Sequence, residues 1–143
     1  DMTQKQIALN AVEALKKEYP DAICSLVADT PFQLLVATRL SAQCTDARVN
    51  LVTPALFEKY PTAFEMAKAP VPEIYNMISS ISFPNNKALH LSQLSQKLVS
   101  EFNGQVPTSM EDLTSLPGVG RKTANVVRAV AFNIPSMPVD RIE

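Results

Sequence analysis

The chain has 143 residues, of which 46% are hydrophobic and 19% charged, and its formal net charge is −1. These proportions fit one globular domain and exclude a disordered chain. No apolar run approaches the roughly 18 residues that a membrane-spanning helix needs, and segment 1–20 has the pattern of an amphipathic helix rather than a signal peptide. Two cysteines, Cys24 and Cys44, are too few for a disulfide framework or a four-cysteine metal site. We therefore expect a soluble protein of a reducing, intracellular compartment.

Helical patterns follow one another along the chain, and no segment alternates apolar and polar residues in the manner of a strand. Three helix starts carry threonine capping signals: Thr30 before Pro31 and Gln33, Thr62 in TAFE, and Thr108 in TSME. The helix after Thr30 is apolar on most sides, which predicts a central position in the core. The sequence predicts a single all-α domain of about eight to ten short helices joined by tight turns.

Three further helices are predicted between these starts. Segment 45–61 is helical in pattern but contains Pro54, which predicts a kink or two abutting helices. Pro72 suits the first turn of a short helix through about residue 79. A long helix should run from about residue 86 to 102, with Gly104 as its left-handed cap. Most of its apolar face is expected to come from Leu89, Leu91, Leu94, Leu98 and Val99.

The stretch LPGVGRKTANVV, residues 116–127, follows a short capped helix and opens another. It predicts a helix–hairpin–helix over 108–132. The start of the second helix, near Arg121, leaves backbone N–H groups without intrahelical partners at the positive end of the helix dipole, which forms an anion site. A DNA phosphate fits such a shallow hairpin, and backbone amides hold it without a basic surplus in the net charge. The alternative is that the Gly-x-Gly turn is only a tight corner between two helices.

Lys122 has two interpretations. A lysine on a helix surface is most often a solvated cation. The other interpretation is a nucleophilic amine, which would have to lose its proton and would need burial in a cleft to favour that.

LPGVGRKTANVV, together with LSAQCTDARVN (40–50) and PVD (138–140), resembles the endonuclease III family of base-excision DNA glycosylases, within the helix–hairpin–helix glycosylase superfamily. The resemblance keeps one register from about residue 31 to 140. It implies a helical-barrel domain over 21–137 and a base-excision repair enzyme of the bacterial cytoplasm and nucleoid. That enzyme would be a DNA glycosylase with β-elimination lyase activity on oxidised pyrimidines, and its partner would be duplex DNA with damaged bases or abasic sites.

The resemblance also implies roles for individual residues. Lys122 would match the lysine that attacks C1′ of the damaged nucleotide and forms a Schiff base. Asp140 would match the aspartate that assists by stabilising charge on the sugar or relaying protons. Gln43 would match the glutamine that fills the gap left by the flipped base. The hairpin contacts to DNA would come from Gly118, Val119, Gly120, Arg121 and Thr123.

Phe83 is a second candidate for a wedge in the DNA helix. Its neighbours Ser82 and Pro84 depart from the family pattern, and a core aromatic is an equal alternative. His90 is interpreted as a surface or packing residue, and Cys44 as a small buried hydrophobe.

After Asp140 the sequence departs from the family, whose members continue through Thr-His to four cysteines that bind a [4Fe–4S] cluster. Arg141 and Ile142 stand at the Thr-His positions. We therefore expect a C-terminally truncated fragment, in which 138–143 begins a missing second domain. This chain would carry no cofactor, while the full-length protein would carry the cluster. Segment 1–20 would lose its packing partner. Association of the chain through this helix and the activity of the fragment are both left open.

Two other functions remain at this point. One is a non-catalytic helix–hairpin–helix module that grips DNA phosphates. The other is a mismatch-specific thymine or uracil glycosylase, because neither the hairpin nor Lys122 fixes the damaged base.

Overall fold

The computed structural model describes residues 26–133. In chain order, its helices are α1 Pro31–Leu40, α2 Asp46–Lys59, α3 Ala63–Lys68, α4 Val71–Met77, α5 Pro84–Phe102, α6 Met110–Thr114 and α7 Arg121–Ala131. No strand occurs among the described residues, so the predicted all-α class is confirmed. The expectations for segment 1–20, Asp140 and segment 138–143 lie outside them.

Helix α1 forms the centre of the core, as its sequence predicts. It begins where Thr30 Oγ1 accepts a hydrogen bond of 3.1 Å from the backbone N–H of Gln33. Leu35, Val36 and Leu40 have no exposed surface. Helix α1 packs against α7 and α2 and also contacts α5. Its C-terminal end is therefore surrounded by the elements that form the candidate site.

Helix α5 packs against α3 and α4 through one continuous face. Leu91, Leu94 and Leu98 lie on this face and are fully buried, but Leu89 is 43% exposed, so its predicted place there is wrong. The buried face continues instead to Lys87, which is 1% exposed. Positions 87, 91, 94 and 98 recur at helical spacing, which places their side chains on one side of the helix.

Several helix limits differ from the predictions. Helix α2 is a single helix through Pro54, so the predicted alternative of two abutting helices is wrong, and it buries Val49, Thr53 and Leu56 on both sides of the proline. Helix α6 is capped by Ser109, not Thr108, and the Ser109 hydroxyl accepts a 3.0 Å hydrogen bond from the N–H of Asp112.

Other local signals are confirmed. The Thr62 capping box is present, and the Glu65 carboxylate accepts a 3.0 Å hydrogen bond from the N–H of Thr62. Helix α5 ends with Asn103 and Gly104, both in the left-handed region. Within residues 26–133, no helix combines the length and apolar character needed to cross a membrane.

The buried face of α5 generates a stability prediction. Leu91→Ala should lower the free energy of unfolding by about 2–5 kcal/mol, because a fully buried leucine leaves a cavity in the core. Leu89→Ala, two residues away on the exposed side, should change it by less than about 0.5 kcal/mol. Urea denaturation of both variants measures the difference. Equal losses would contradict this assignment of the two faces.

Candidate nucleic-acid interface

The hairpin between α6 and α7 is a tight turn closed by one backbone hydrogen bond. The N–H of Val119 donates to the carbonyl of Leu116 over 3.1 Å. Pro117 and Gly118 fill the two central positions, and Gly118 has a φ of 78°, which is the arrangement of a type II turn. Leu116 and Val119 are buried at 2% and 6% exposure, so they anchor the turn while Gly118 and Gly120 stay at the surface.

Gly118 lies directly over two side chains from other helices. A Cβ at this position would stand 2.7 Å from Nε of Arg39 and 2.8 Å from Nδ1 of His90. Arg39 Nη2 donates to His90 Nδ1 over 2.7 Å, which makes that ring nitrogen the acceptor. Burial, and then the charge of Arg39, lower the pKa of His90, in agreement with a neutral, accepting ring. The hairpin thus rests on the end of α1 and the start of α5.

Gly120 has a different environment. Its φ of −100° and ψ of −175° are open to any residue. No atom lies within 4 Å of the place where its Cβ would stand. Nothing among the described residues therefore requires a glycine at position 120. A ligand that approaches this backbone closely would require a glycine here.

The N-terminal end of α7 is exposed to solvent. The carbonyl of Gly120 accepts the first backbone hydrogen bond of the helix, 2.9 Å from the N–H of Ala124, and Gly120 has no side-chain cap. The N–H groups of the first turn have no intrahelical partner and lie at the positive end of the helix dipole. Gly120, Arg121 and Lys122 are exposed and Thr123 is half-buried. This arrangement suits an anion.

The charge around the hairpin is locally positive despite the net charge of −1. In the motif 108–132, the three cations Arg121, Lys122 and Arg128 all lie on α7, and the two carboxylates, Glu111 and Asp112, lie on α6. Arg128 Nε donates to the carbonyl of Thr108 over 2.8 Å and so ties α7 to the start of the motif. Binding of an anionic polymer depends on such a local patch rather than on the total charge.

Gln43 and Phe83 are brought together by the loop that contains Ser82. The Ser82 hydroxyl donates to the carbonyl of Gln43 over 2.7 Å. Gln43 is exposed, and Phe83 is 60% exposed, so the alternative of a core aromatic at Phe83 is wrong. Both residues adopt a positive φ, 56° and 52°, which is uncommon for non-glycine residues and is found most often at functional sites.

Lys87 and Arg39 are the two residues of this region that the sequence analysis missed. Lys87 Nζ donates to the carbonyls of Leu40 and Ala42, over 2.8 Å and 2.6 Å. The helical spacing of Lys87 from Leu91 could have predicted its burial. No local signal predicts the contact of Arg39 with His90, because the two residues are 51 positions apart.

Lys122 lies in the first turn of α7 with its side chain exposed. The described residues do not enclose it in the cleft that a nucleophilic amine would need. Asp140, its expected partner, lies outside the described residues. The two lysines of this region thus differ in access, because Lys87 is buried and bonded while Lys122 faces solvent.

The residues present do not fit an iron–sulfur cluster. A [4Fe–4S] cluster is held by four cysteine thiolates, and the chain has two cysteines. Cys44 packs against the core but is half-buried rather than buried, so its prediction as a small buried hydrophobe holds only in part. Over residues 26–133, no group of three or more His, Cys, Asp or Glu side chains could hold a metal ion.

The family model described as HhH-GPD superfamily base excision DNA repair protein matches residues 36–141, more than half of the chain. The chain belongs to the HhH-GPD superfamily. Among curated relatives of this HhH-GPD chain, the endonuclease III of Synechocystis sp. is 55% identical over 132 residues, covering 92% of this chain and 60% of that protein. The endonuclease III of Bacillus subtilis is 48% identical over 122 residues, covering 85% of this chain and 56% of that protein. The resemblance to endonuclease III is therefore confirmed, and the chain spans somewhat more than half the length of these relatives.

Solved structures give the same result for the fold. A trapped endonuclease III–DNA covalent intermediate, an estranged-adenine complex, is 46% identical with a TM-score of 0.78, over 96% of this chain and 67% of that one. A non-covalent endonuclease III–DNA complex is 47% identical with a TM-score of 0.78, over 95% of this chain and 64% of that one. A thermostable thymine-DNA glycosylase, 24% identical with a TM-score of 0.73, shares the fold.

The two hairpin glycines should respond differently to substitution. Gly118→Ala should destabilise the chain by at least about 1–2 kcal/mol, because alanine is strained at a positive φ and its Cβ would collide with Arg39 and His90. Gly120→Ala should change stability by less than about 1 kcal/mol. Thermal denaturation of the pair measures this. A Gly118→Ala variant as stable as Gly120→Ala would overturn the described contact with Arg39 and His90.

Proposed function

We propose that this chain is the helical-barrel portion of a DNA glycosylase with abasic-site lyase activity in base-excision repair. The proposed substrate is duplex DNA that contains oxidised pyrimidines or abasic sites. The single observation that carries the proposal is the N-terminus of α7, which has no side-chain cap at Gly120 and where Gly120 and Lys122 are exposed. The endonuclease III–DNA complexes with the same fold support it.

Phosphate binding is proposed for the hairpin backbone. Gly120 leaves space that no described atom fills, which permits an oxygen to approach the first-turn amides of α7. Val119 is buried and anchors the turn, and Arg121 and Thr123 lie in the same first turn of α7. Contacts of this kind fix the position of the protein on the duplex without reading its sequence.

In the proposed reaction, the unprotonated amine of Lys122 attacks C1′ of the damaged nucleotide and the base leaves with its electron pair. The base takes a proton from Nζ. The adduct then opens as the C1′–O4′ bond breaks, O4′ takes a proton and the nitrogen lone pair forms the Schiff base between Nζ and C1′. Loss of a proton from C2′ then expels the 3′ phosphate by β-elimination and breaks the strand. Asp140 is proposed to assist by stabilising positive charge on the sugar. Lys122 is exposed among the described residues, so bound DNA would have to cover it.

Gln43 and Phe83 are proposed to enter the duplex where the damaged nucleotide leaves it. Flipping a nucleotide costs a few kcal/mol, and side chains that fill the gap offset part of that cost. Both residues are exposed and their loops are joined through Ser82, so they can act at one site.

The [4Fe–4S] cluster implied by the family would take its thiolates from residues outside this chain. Because the proposed substrate is genomic DNA, the site of action would be the nucleoid.

The binding role of Gly120 is tested by Gly120→Ala. The added methyl group should block phosphate from the first-turn amides and weaken binding to undamaged duplex about tenfold, the equivalent of one charge-assisted hydrogen bond. Fluorescence anisotropy with labelled duplex at fixed salt measures the affinity. Unchanged affinity in the folded variant would count against the hairpin as the phosphate site.

The chemistry of Lys122 is tested with borohydride and a duplex that contains one abasic site. The wild-type chain should form a covalent adduct, because borohydride reduces a Schiff base to a stable amine. Lys122→Arg should keep DNA binding through its charge but reduce adduct formation by about a thousandfold or more, because a guanidinium is not a nucleophile.

Lys68→Ala, at an exposed lysine on α3, serves as the control and should form the adduct normally. DNA binding without an adduct in the wild-type chain would favour a non-catalytic hairpin module. An adduct that survives in Lys122→Arg would assign the nucleophile to another residue.

A further inference from the structure

Lys87 is a buried lysine whose charge is held by backbone and hydroxyl groups. It is 1% exposed, and its ammonium group donates to the carbonyls of Leu40 and Ala42, over 2.8 Å and 2.6 Å, and to Ser82 Oγ over 3.3 Å. An ammonium has three donors and no acceptor, so these three bonds use its full capacity. The ion pairs found among the described residues do not include it.

Burial of this charge is unfavourable unless it is compensated. Desolvation is the largest cause of the lowered pKa of Lys87; the charge of Cys44 opposes it, and the charge of Arg39 lowers the pKa further. The carbonyls of Leu40 and Ala42 stand at the C-terminal end of α1, where the negative end of the helix dipole favours a cation. An apolar side chain would fill the same volume without desolvating a charge, so a role in stability alone explains the lysine poorly.

The bonds of Lys87 lead to both residues proposed to enter the DNA. The Ser82 hydroxyl accepts from Lys87 and donates to the carbonyl of Gln43, which links the ammonium to the loop after α1. Phe83 follows Ser82 directly and caps α5. A single buried ammonium therefore ties together the loop that carries Gln43 and the loop that carries Phe83.

The backbone geometry of these loops requires such support. Four described non-glycine residues have a positive φ: Gln43, Phe83, Asn103 and Asn133. Asparagine tolerates this conformation, but glutamine and phenylalanine do so less readily. Strained conformations persist where surrounding contacts determine them. The carbonyl of Gln43 accepts from the Ser82 hydroxyl, and the carbonyl of Phe83 accepts from the backbone N–H of Lys87.

We propose that Lys87 is a positioning residue for recognition of the damaged nucleotide, which holds Gln43 and Phe83 in one fixed arrangement so that they enter the duplex together. The inference rests on the proposed function. Lys87 itself touches no DNA in this account and acts through Ser82 and the carbonyls at the end of α1.

The test compares two duplexes, one undamaged and one containing a tetrahydrofuran abasic-site analogue with 2-aminopurine as the opposite base. The wild-type chain should prefer the abasic duplex and change the 2-aminopurine fluorescence as a side chain enters the gap. Lys87→Met keeps the length and apolar volume of the side chain but removes its donors. It should reduce the preference about tenfold, comparable to the loss of a hydrogen bond to a charged group, with affinity for undamaged duplex unchanged.

Ser82→Ala provides a second variant that leaves the buried amine in place. It should reduce the fluorescence change and the preference about threefold, the size of one neutral hydrogen bond. The exposed Ser79→Ala in the same loop is the matched control and should behave as wild type. If Lys87→Met does not fold, Ser82→Ala against Ser79→Ala carries the test.

Each outcome bears on one of the two proposals. A wild-type chain that does not prefer the abasic duplex contradicts the proposed function. A wild-type chain that prefers it, with Lys87→Met and Ser82→Ala showing the same preference, overturns the positioning role. Equal loss of affinity for both duplexes in the variants also overturns it, because a purely structural lysine would affect hairpin binding and gap filling alike.

Discussion

The packing of the end of α1 against the start of α5 is the constraint on which the interface depends. On the side of the Gln43 and Phe83 loops, the ammonium group of Lys87 donates to the carbonyls of Leu40 and Ala42. One turn further along α5, His90 accepts from Arg39, the residue before Leu40 in α1, and Gly118 rests on this pair. The same two helix ends therefore support the hairpin and the loops with Gln43 and Phe83. The proposed DNA surface is built on one rigid junction rather than on independent loops.

Residues of one type have opposite roles in this region because their surroundings differ. Gly118 is required by the protein itself, through its positive φ and its contact with Arg39, whereas Gly120 is compatible with any residue until a ligand approaches. Lys87 is buried with all its donors used, whereas Lys122 is exposed at the start of α7. Burial and contact geometry, rather than residue identity, thus separate the structural member of each pair from the one available to DNA.

The net charge of −1 is compatible with a nucleic-acid interface because the charges are distributed unevenly. Within the motif 108–132, the three cations all lie on α7 and the two carboxylates on α6, and the backbone amides of α7 add positive potential that no residue count includes. The chain spans 60% of the Synechocystis endonuclease III, and the described residues leave Lys122 uncovered. Binding and chemistry therefore make different demands. Phosphate binding at the hairpin needs the backbone amides at the start of α7, whereas a reactive amine also needs surfaces that enclose it.

The sequence by itself determined the features that depend on near neighbours: the all-α class, the caps at Thr30 and Thr62, and the helix–hairpin–helix. These follow from hydrogen bonds and turn conformations within a few residues, which local sequence encodes. Only the tertiary structure decided where the buried helix faces end and which polar groups they contact. It placed Lys87 in the core and Phe83 at the surface, and it kept α2 a single helix through Pro54. Lys87 meets its carbonyl partners across 45 and 47 positions, so its role depends on how α1 and α5 pack, which no local pattern specifies.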